Sequence, residues 1–246
     1  MGITTKKNNS DAWVAHMKRK KNNVVVKDGN FGKEIAALVG SGKNVLDIGC
    51  GAGKCLYPLA ENGNKVFGID IASAPIEECR RNGFEAMVKD IEDDDIEDLM
   101  RRRPFDAVIM ADVLEHLIDP VIVLRDKVLP LLGDGGVCIA TIPNFVFYRY
   151  RTEIMLGNIS HFNNDDKTHY DPPRPYNLGH KTMFNLKNIK ETFRLAGFSS
   201  VRIEPELFSE SLSGFWRVPF LNFLRLSAKK LWPTMMAARY LVIAEK

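Results

Sequence analysis

Cysteine is scarce in this chain, and its spacing carries no metal signature. Cys50, Cys55, Cys79 and Cys138 include no Cys-x-x-Cys pair and no histidine cluster accompanies them, which argues against a structural zinc site. Several fall in predicted core or near a glycine turn, which suits a reducing compartment better than a disulfide framework. Long apolar runs are missing too. No segment approaches the roughly 20 uninterrupted apolar residues of a membrane span, and the N-terminus is polar, rich in Lys and Asn, without the apolar centre of a secretion signal. A cytoplasmic location is the expectation. Charge of one sign is also lacking: a formal net charge of +3 is too weak to imply a nucleic-acid partner. The densest basic run, Lys18-Arg19-Lys20-Lys21, reads as a solvated helix end or tail. The acidic stretch 90–98 reads mostly as a surface loop and helix start, because a metal site needs ligands converging from separate segments.

What is present is an ordinary soluble composition, 45% apolar and 26% charged over 246 residues, enough for one domain or one domain with a small lobe. Residues 1–28 read as a flexible or lid-forming lead, and 29–246 as one domain. Within it, short apolar runs alternate with helices stopped by glycine. Strands are expected at 44–48, 65–69, 84–88, 105–110 and 137–142, with helices near 32–39, 54–61, 75–82 and 120–131. Strands separated by helices need crossover connections, so the sheet should be mainly parallel and covered on both faces. This is a Rossmann-like, doubly wound α/β layout. The rhythm breaks after Pro143-Asn144. Residues 145–184, rich in aromatics, His, Asn and Pro, are too long for an ordinary connection and read as an inserted cap. A helix at 186–196, a strand at 200–203 and a last strand at 239–244 follow.

Gly49-x-Gly51-x-Gly53 follows the first strand and opens a helix. Glycines there let a ligand approach the backbone, and free N–H groups at the helix start favour an electronegative partner. Lys54 stands where a dinucleotide fingerprint wants its third glycine, and no Gly-Lys-Ser/Thr follows, which disfavours a P-loop. Asp47 precedes the turn; its charge would repel a pyrophosphate but attract the cationic amino-acid end of S-adenosylmethionine. Asp70, about 20 residues on at the end of the second strand, is placed to accept both ribose hydroxyls, with Ile71 beside it. Asp90-Ile91 closes the third strand, where Asp90 can accept from an adenine amino group and Ile91 can pack on the ring.

The ordered set 45–53, Gly68-Ile69-Asp70, Asp90-Ile91, Phe105-Asp106-Ala107-Val108, Leu114-Glu115-His116-Leu117 and Gly133-Asp134-Gly135-Gly136-Val137 resembles the motifs of class I S-adenosylmethionine-dependent methyltransferases. The resemblance implies a seven-stranded sheet whose last strand is antiparallel. It also implies that Asp47, Gly49, Cys50, Gly51, Gly53 and Asp70 hold the cofactor, and that the backbone at Ala111 and Asp112 borders its methionine end. A looser likeness in Ile142-Pro143-Asn144-Phe145, Arg149, Gly157, 171–175 and His180-x-x-x-Phe184 to Gly197-Phe198 is to a subgroup. That subgroup contains MetW, ubiquinone-type O-methyltransferases and methyltransferases of glycan or natural-product clusters.

Transfer from a sulfonium is an in-line displacement in which the protein chiefly aligns the acceptor. A hydroxyl acceptor gains from a general base, and the candidates are His116 and His180, with His161, His169, Tyr170 and Tyr176 as lid residues. Phe145, Phe147, Tyr148 and Tyr150 are placed to line an acceptor pocket or to pack a cap. Glu115-His116 resembles the pair that binds a divalent metal in ubiquinone-type enzymes, but a dedicated site needs further oxygen ligands that the sequence does not place, so no metal is assigned. The apolar stretch at 215–221 through Leu231-Trp232, with Arg225, Lys229 and Lys230, is interrupted by Pro219. Burial against the sheet or in a homodimer is expected there over peripheral membrane contact. The reading is a small-molecule methyltransferase acting on a hydroxyl or carboxylate oxygen. Its alternative is a MetW-like partner or regulator of an acyltransferase in methionine biosynthesis. An NAD-dependent oxidoreductase would require Asp47 and Lys54 to be incidental.

Overall fold

Buried strands, the first running into Gly49 and the second ending at Asp70, set the layout. The computed structural model describes residues 31–157, 180–205, 227 and 231–246. The expectations for 1–28, for His161, His169, Tyr170 and Tyr176, for 171–175 and for 215–225 with Lys229 and Lys230 lie outside the described residues. Two compact units divide after Ile109.

In the first unit, α1 (Phe31–Val39), β1 (Asn44–Ile48), α2 (Leu56–Glu61), β2 (Lys65–Asp70), α3 (Ser73–Arg81), β3 (Glu85–Val88) and α4 (Glu97–Met100) follow one another, and β4 (Phe105–Ala111) runs across the division. β1 pairs in parallel with β2 and β2 with β3, which places Asp47 opposite Gly68. Val45, Leu46 and Ile48 are all buried, as a strand covered on both faces requires. α3 buries Ile76 and Cys79, three residues apart, and turns Glu77, Glu78, Arg80 and Arg81 outward. Gly68 is needed by contact: a Cβ there would lie 2.6 Å from Cys50 Sγ and 3.1 Å from Leu56 Cδ1.

The second unit begins with a 3₁₀ turn (Leu114–His116) and a helix α5 built from Pro120–Ile122, a π-type stretch Val123–Val128 and Leu129–Leu131. Asp119 caps α5 by accepting from Ile122 N, with Pro120 in the first turn. Pro130 has no N–H and its ring displaces the carbonyl four residues back, consistent with the widened stretch before it. There follow β5 (Leu132–Pro143), α6 (Tyr148–Met155), α7 (Leu186–Leu195), β6 (Ser200–Pro205), α8 (Pro233–Met236) and β7 (Arg239–Glu245). α7 starts at a reciprocal cap between Asn185 and Asn188 and buries Ile189 and Phe193. β7 lies antiparallel to both β5 and β6.

The seven strands form one sheet in the order β3-β2-β1-β4-β5-β7-β6. The expected Rossmann-like sheet with an antiparallel last strand is therefore present. Two details differ. β5 starts five residues earlier than its apolar run, taking in Gly133 to Gly136. α6 forms inside the expected cap; none of its residues is buried, so its sequence carries no apolar stripe to announce it. Among the described residues no helix is long and apolar enough to cross a membrane, and all four cysteines are buried and free.

Candidate functional site

In the first unit the glycine turn leaves β1 while still fastened to β2. Gly49 N and Cys50 N both donate to Ile69 O, at 2.8 and 3.0 Å, and Gly53 N donates to Cys50 O at 2.9 Å. Gly49, Gly51 and Gly53 have φ of 75°, 52° and 94°, a left-handed bend that side chains resist. A Cβ built on Gly51 would meet nothing within 4 Å, so the turn is open on that side. Asp70 ties this turn to the next helix: Oδ2 accepts from Gly51 N and Oδ1 from Ala72 N, each at 2.8 Å. Ile71, directly after it, is 68% exposed, an apolar side chain presented to solvent. Asp90 Oδ1 accepts from Glu92 N, and Ile91 is buried.

Asp47 is the most telling of these groups. It is 1% exposed, at the fourth position of β1 and two residues before the glycine turn. Burial, with Cys79 and Asp70 adding to it, holds that carboxyl well above the ordinary carboxylate range. A buried carboxyl favours a cation and a donor beside it. An ammonium group arriving beside it supplies both. The donor set therefore fits the amino-acid end of S-adenosylmethionine, with Asp70 offering acceptor oxygens at the strand end.

In the second unit Asp112 is the one described non-glycine residue with positive φ, 56°. Asp tolerates this region better than most residues, at a cost of about 1 kcal/mol. Its N–H donates to Thr141 O at 3.2 Å, Thr141 Oγ1 donates to its Oδ1 at 3.1 Å, and Arg239 forms an ion pair with its Oδ2. Three residues on, Glu115 is 2% exposed and its Oε2 has no hydrogen-bond partner. Burial, then the charge of Asp112, pushes its carboxyl up to about 8, against the lowering effect of Arg239. Lys181 N and Thr182 N donate to Glu115 O at 2.8 and 3.1 Å, and Thr182 Oγ1 donates to Leu117 O at 2.9 Å. These bonds bring His180 beside His116, with ring centroids 5.0 Å apart and ring planes at 65°. The two histidines singled out in the sequence, 64 positions apart by number, thus meet.

The same place is where metal-ligating atoms converge. One ligand atom each from Glu115, His116 and His180 lie within 4.8 Å of one another. Sequence reasoning assigned no metal because it could find only the adjacent pair; the third donor, His180, comes from the far end of the insertion. Two imidazoles and a carboxyl suit a transition ion such as zinc better than magnesium. Arg239 and Thr141 were missed outright. Arg239 opens the last strand with no motif around it, and Thr141 reads as one more residue of a buried strand, so only strand pairing could reveal them. Ala111 and Asp112 sit half-buried at the end of β4.

Known proteins are similar to this chain in sequence and in fold. A ubiquinone biosynthesis O-methyltransferase of Xylella fastidiosa is 39% identical over 99 residues, covering 39% of this chain and 40% of that protein. One from Marinobacter nauticus is 36% identical over 126 residues, 48% of this chain and 53% of its own length. The chain thus spans about half, or less, of these relatives. A solved SAM-dependent methyltransferase from Archaeoglobus fulgidus has the same fold, with a TM-score of 0.56 and 21% identity over 89% of this chain and 96% of that one. The chain also matches the family described as Methionine biosynthesis protein MetW, over residues 30–204. Because that span takes in the glycine turn, Asp70, the Glu115–His116 turn and His180 together, the chain belongs to the MetW family.

Proposed function

We propose that this protein is a cytoplasmic enzyme that moves the methyl group of S-adenosylmethionine to a hydroxyl or carboxylate oxygen of a small-molecule acceptor. The observation that carries the reading is the buried Asp47 carboxyl, raised by burial above the ordinary carboxylate range, just ahead of a left-handed glycine turn. Bound cofactor supplies the methyl group and its own leaving group. The protein supplies placement. Asp47 compensates the ammonium group, the N–H groups of 49–53 line the turn, and Asp70 accepts from the ribose hydroxyls. Asp90 accepts from the adenine amino group, Ile71 and Ile91 give the base apolar flanks, and the main chain of Ala111 and Asp112 takes the methionine end. His116 and His180 attend the acceptor. A neutral imidazole accepts the hydroxyl proton as the oxygen becomes a nucleophile, a contribution of roughly 10²–10⁴-fold.

Calorimetric titration tests the cofactor. Saturable binding of S-adenosylhomocysteine is expected, and a folded protein that binds neither it nor S-adenosylmethionine would overturn the proposal. For the acceptor side, His116→Ala and His180→Ala are expected to lower methyl transfer to phenolic and carboxylate acceptors about 100-fold while leaving S-adenosylhomocysteine affinity unchanged. Transfer should also survive dialysis against a chelator. If it is lost there and restored by zinc, the three converging donors hold a metal and the base reading fails.

Family membership favours one other reading, a binding partner or regulator of an acyltransferase in methionine biosynthesis. It expects cofactor binding without methylation of any acceptor, and a stable heteromeric complex when the protein is purified from its native host.

A further inference from the structure

Asp112 is held in its left-handed conformation from two strands at once. Its N–H and its Oδ1 are both engaged by Thr141 near the end of β5, and its Oδ2 is engaged by Arg239, the first residue of β7. Arg239 Nη2 also reaches Thr141 Oγ1 at 3.4 Å, so the three side chains form one closed group. β7 runs antiparallel to β5 with Arg239 opposite Pro143, two residues from Thr141, and this register delivers the guanidinium to the strand end where Asp112 stands. The ion pair is half-exposed, its side chains 28% and 42% accessible, so as a contributor to global stability it is minor. Its local effect is different in kind. It fastens the one described side-chain-bearing residue whose backbone resists the shape it adopts.

We infer that Arg239, through Asp112 and Thr141, is a positioning residue for the cofactor: it keeps the Ala111–Asp112 main chain in the shape that receives the methionine end. The inference rests on the cofactor reading given above. Without the clamp, Asp112 relaxes toward the ordinary right-handed or extended regions, the peptide planes on either side of it rotate, and binding must restore the bend at its own expense. Glycine at 112 needs no such clamp, because it adopts a φ near 56° freely.

That difference gives the test. S-adenosylhomocysteine affinity is measured by calorimetry, and hydrogen exchange of the Asp112 amide is followed in cofactor-free protein. Arg239→Ala is expected to weaken S-adenosylhomocysteine about tenfold and to speed Asp112 amide exchange by a similar factor. The double variant Arg239→Ala/Asp112→Gly is expected to recover most of the affinity. Arg239→Lys, which keeps charge but not the planar fork, should fall between. The inference is overturned if Arg239→Ala leaves both affinity and exchange unchanged, or if the double variant binds no better than Arg239→Ala. Absence of binding to the unaltered protein would defeat the cofactor reading instead, and the exchange rates would still report whether Arg239 holds the bend.

Discussion

Glu115→Gln is expected to melt about 8 °C above the unaltered protein at pH 7 and level with it near pH 4.5. The Glu115 carboxyl binds its proton more tightly in the folded chain, where burial raises it from 4.5 to about 8. Its protonated form therefore favours folding by an amount fully present below the ordinary carboxylate range. That contribution is withdrawn as pH climbs through 4.5 and is gone once pH passes about 8. At pH 7 the loss is about 3 kcal/mol, and for a chain of this size each kcal/mol moves the melting point by about 2–4 °C. An amide carries no charge to bury and so escapes the penalty. Melting curves for both proteins across pH 4.5–8 decide the matter; parallel curves at a constant separation would show that Glu115 does not titrate as its surroundings dictate.

Asp70→Ala is expected to lower S-adenosylhomocysteine affinity about 100-fold, close to 3 kcal/mol, with little change in melting point. On the proposed reading the substitution removes the acceptor for two ribose hydroxyls; it also frees Gly51 N and Ala72 N, both of which Asp70 holds at 2.8 Å. Asp70→Asn separates the two effects, because one acceptor oxygen remains for the main chain while the charge is gone; it should lie nearer tenfold. Unchanged affinity in a folded Asp70→Ala protein would remove the ribose assignment.

The sheet was legible because its signals are local. Each of β1, β2 and β4 is a compact apolar run, and each helix stop, such as Asn62-Gly63 or Gly83, is a residue type that ends helices for steric reasons. The antiparallel last strand came from resemblance and not from periodicity. The glycine turn, Asp47 and Asp70 were legible for the same local reason, since a turn and the acids flanking it are close in sequence or one strand apart. The second unit was harder to read. Glu115 had a partner next to it in His116, but its burial depends on Lys181 and Thr182 closing over its carbonyl. Arg239 reaches Asp112 through strand pairing alone. Such long-range ties leave no pattern in a single sequence, because any strand-opening arginine looks the same before its neighbour is known. α6 escaped notice for an opposite reason: its residues are all at least partly exposed, so nothing in their spacing was constrained by a core.

Phe145 N donates to Phe184 O at 2.9 Å, where the chain leaves β5 and where it comes back toward α7. The two points where the chain leaves and rejoins the described scaffold are thus joined, and the cost of closing a chain between such anchors rises only slowly with length, by about 0.6 kcal/mol per doubling. Changes of length between residue 157 and His180 therefore cost little, while His180, Lys181 and Thr182 stay tied to the turn at Glu115. On the proposed reading, exchanging the segment between residue 157 and His180 among relatives is expected to alter acceptor preference and to leave the tie at Glu115 in place.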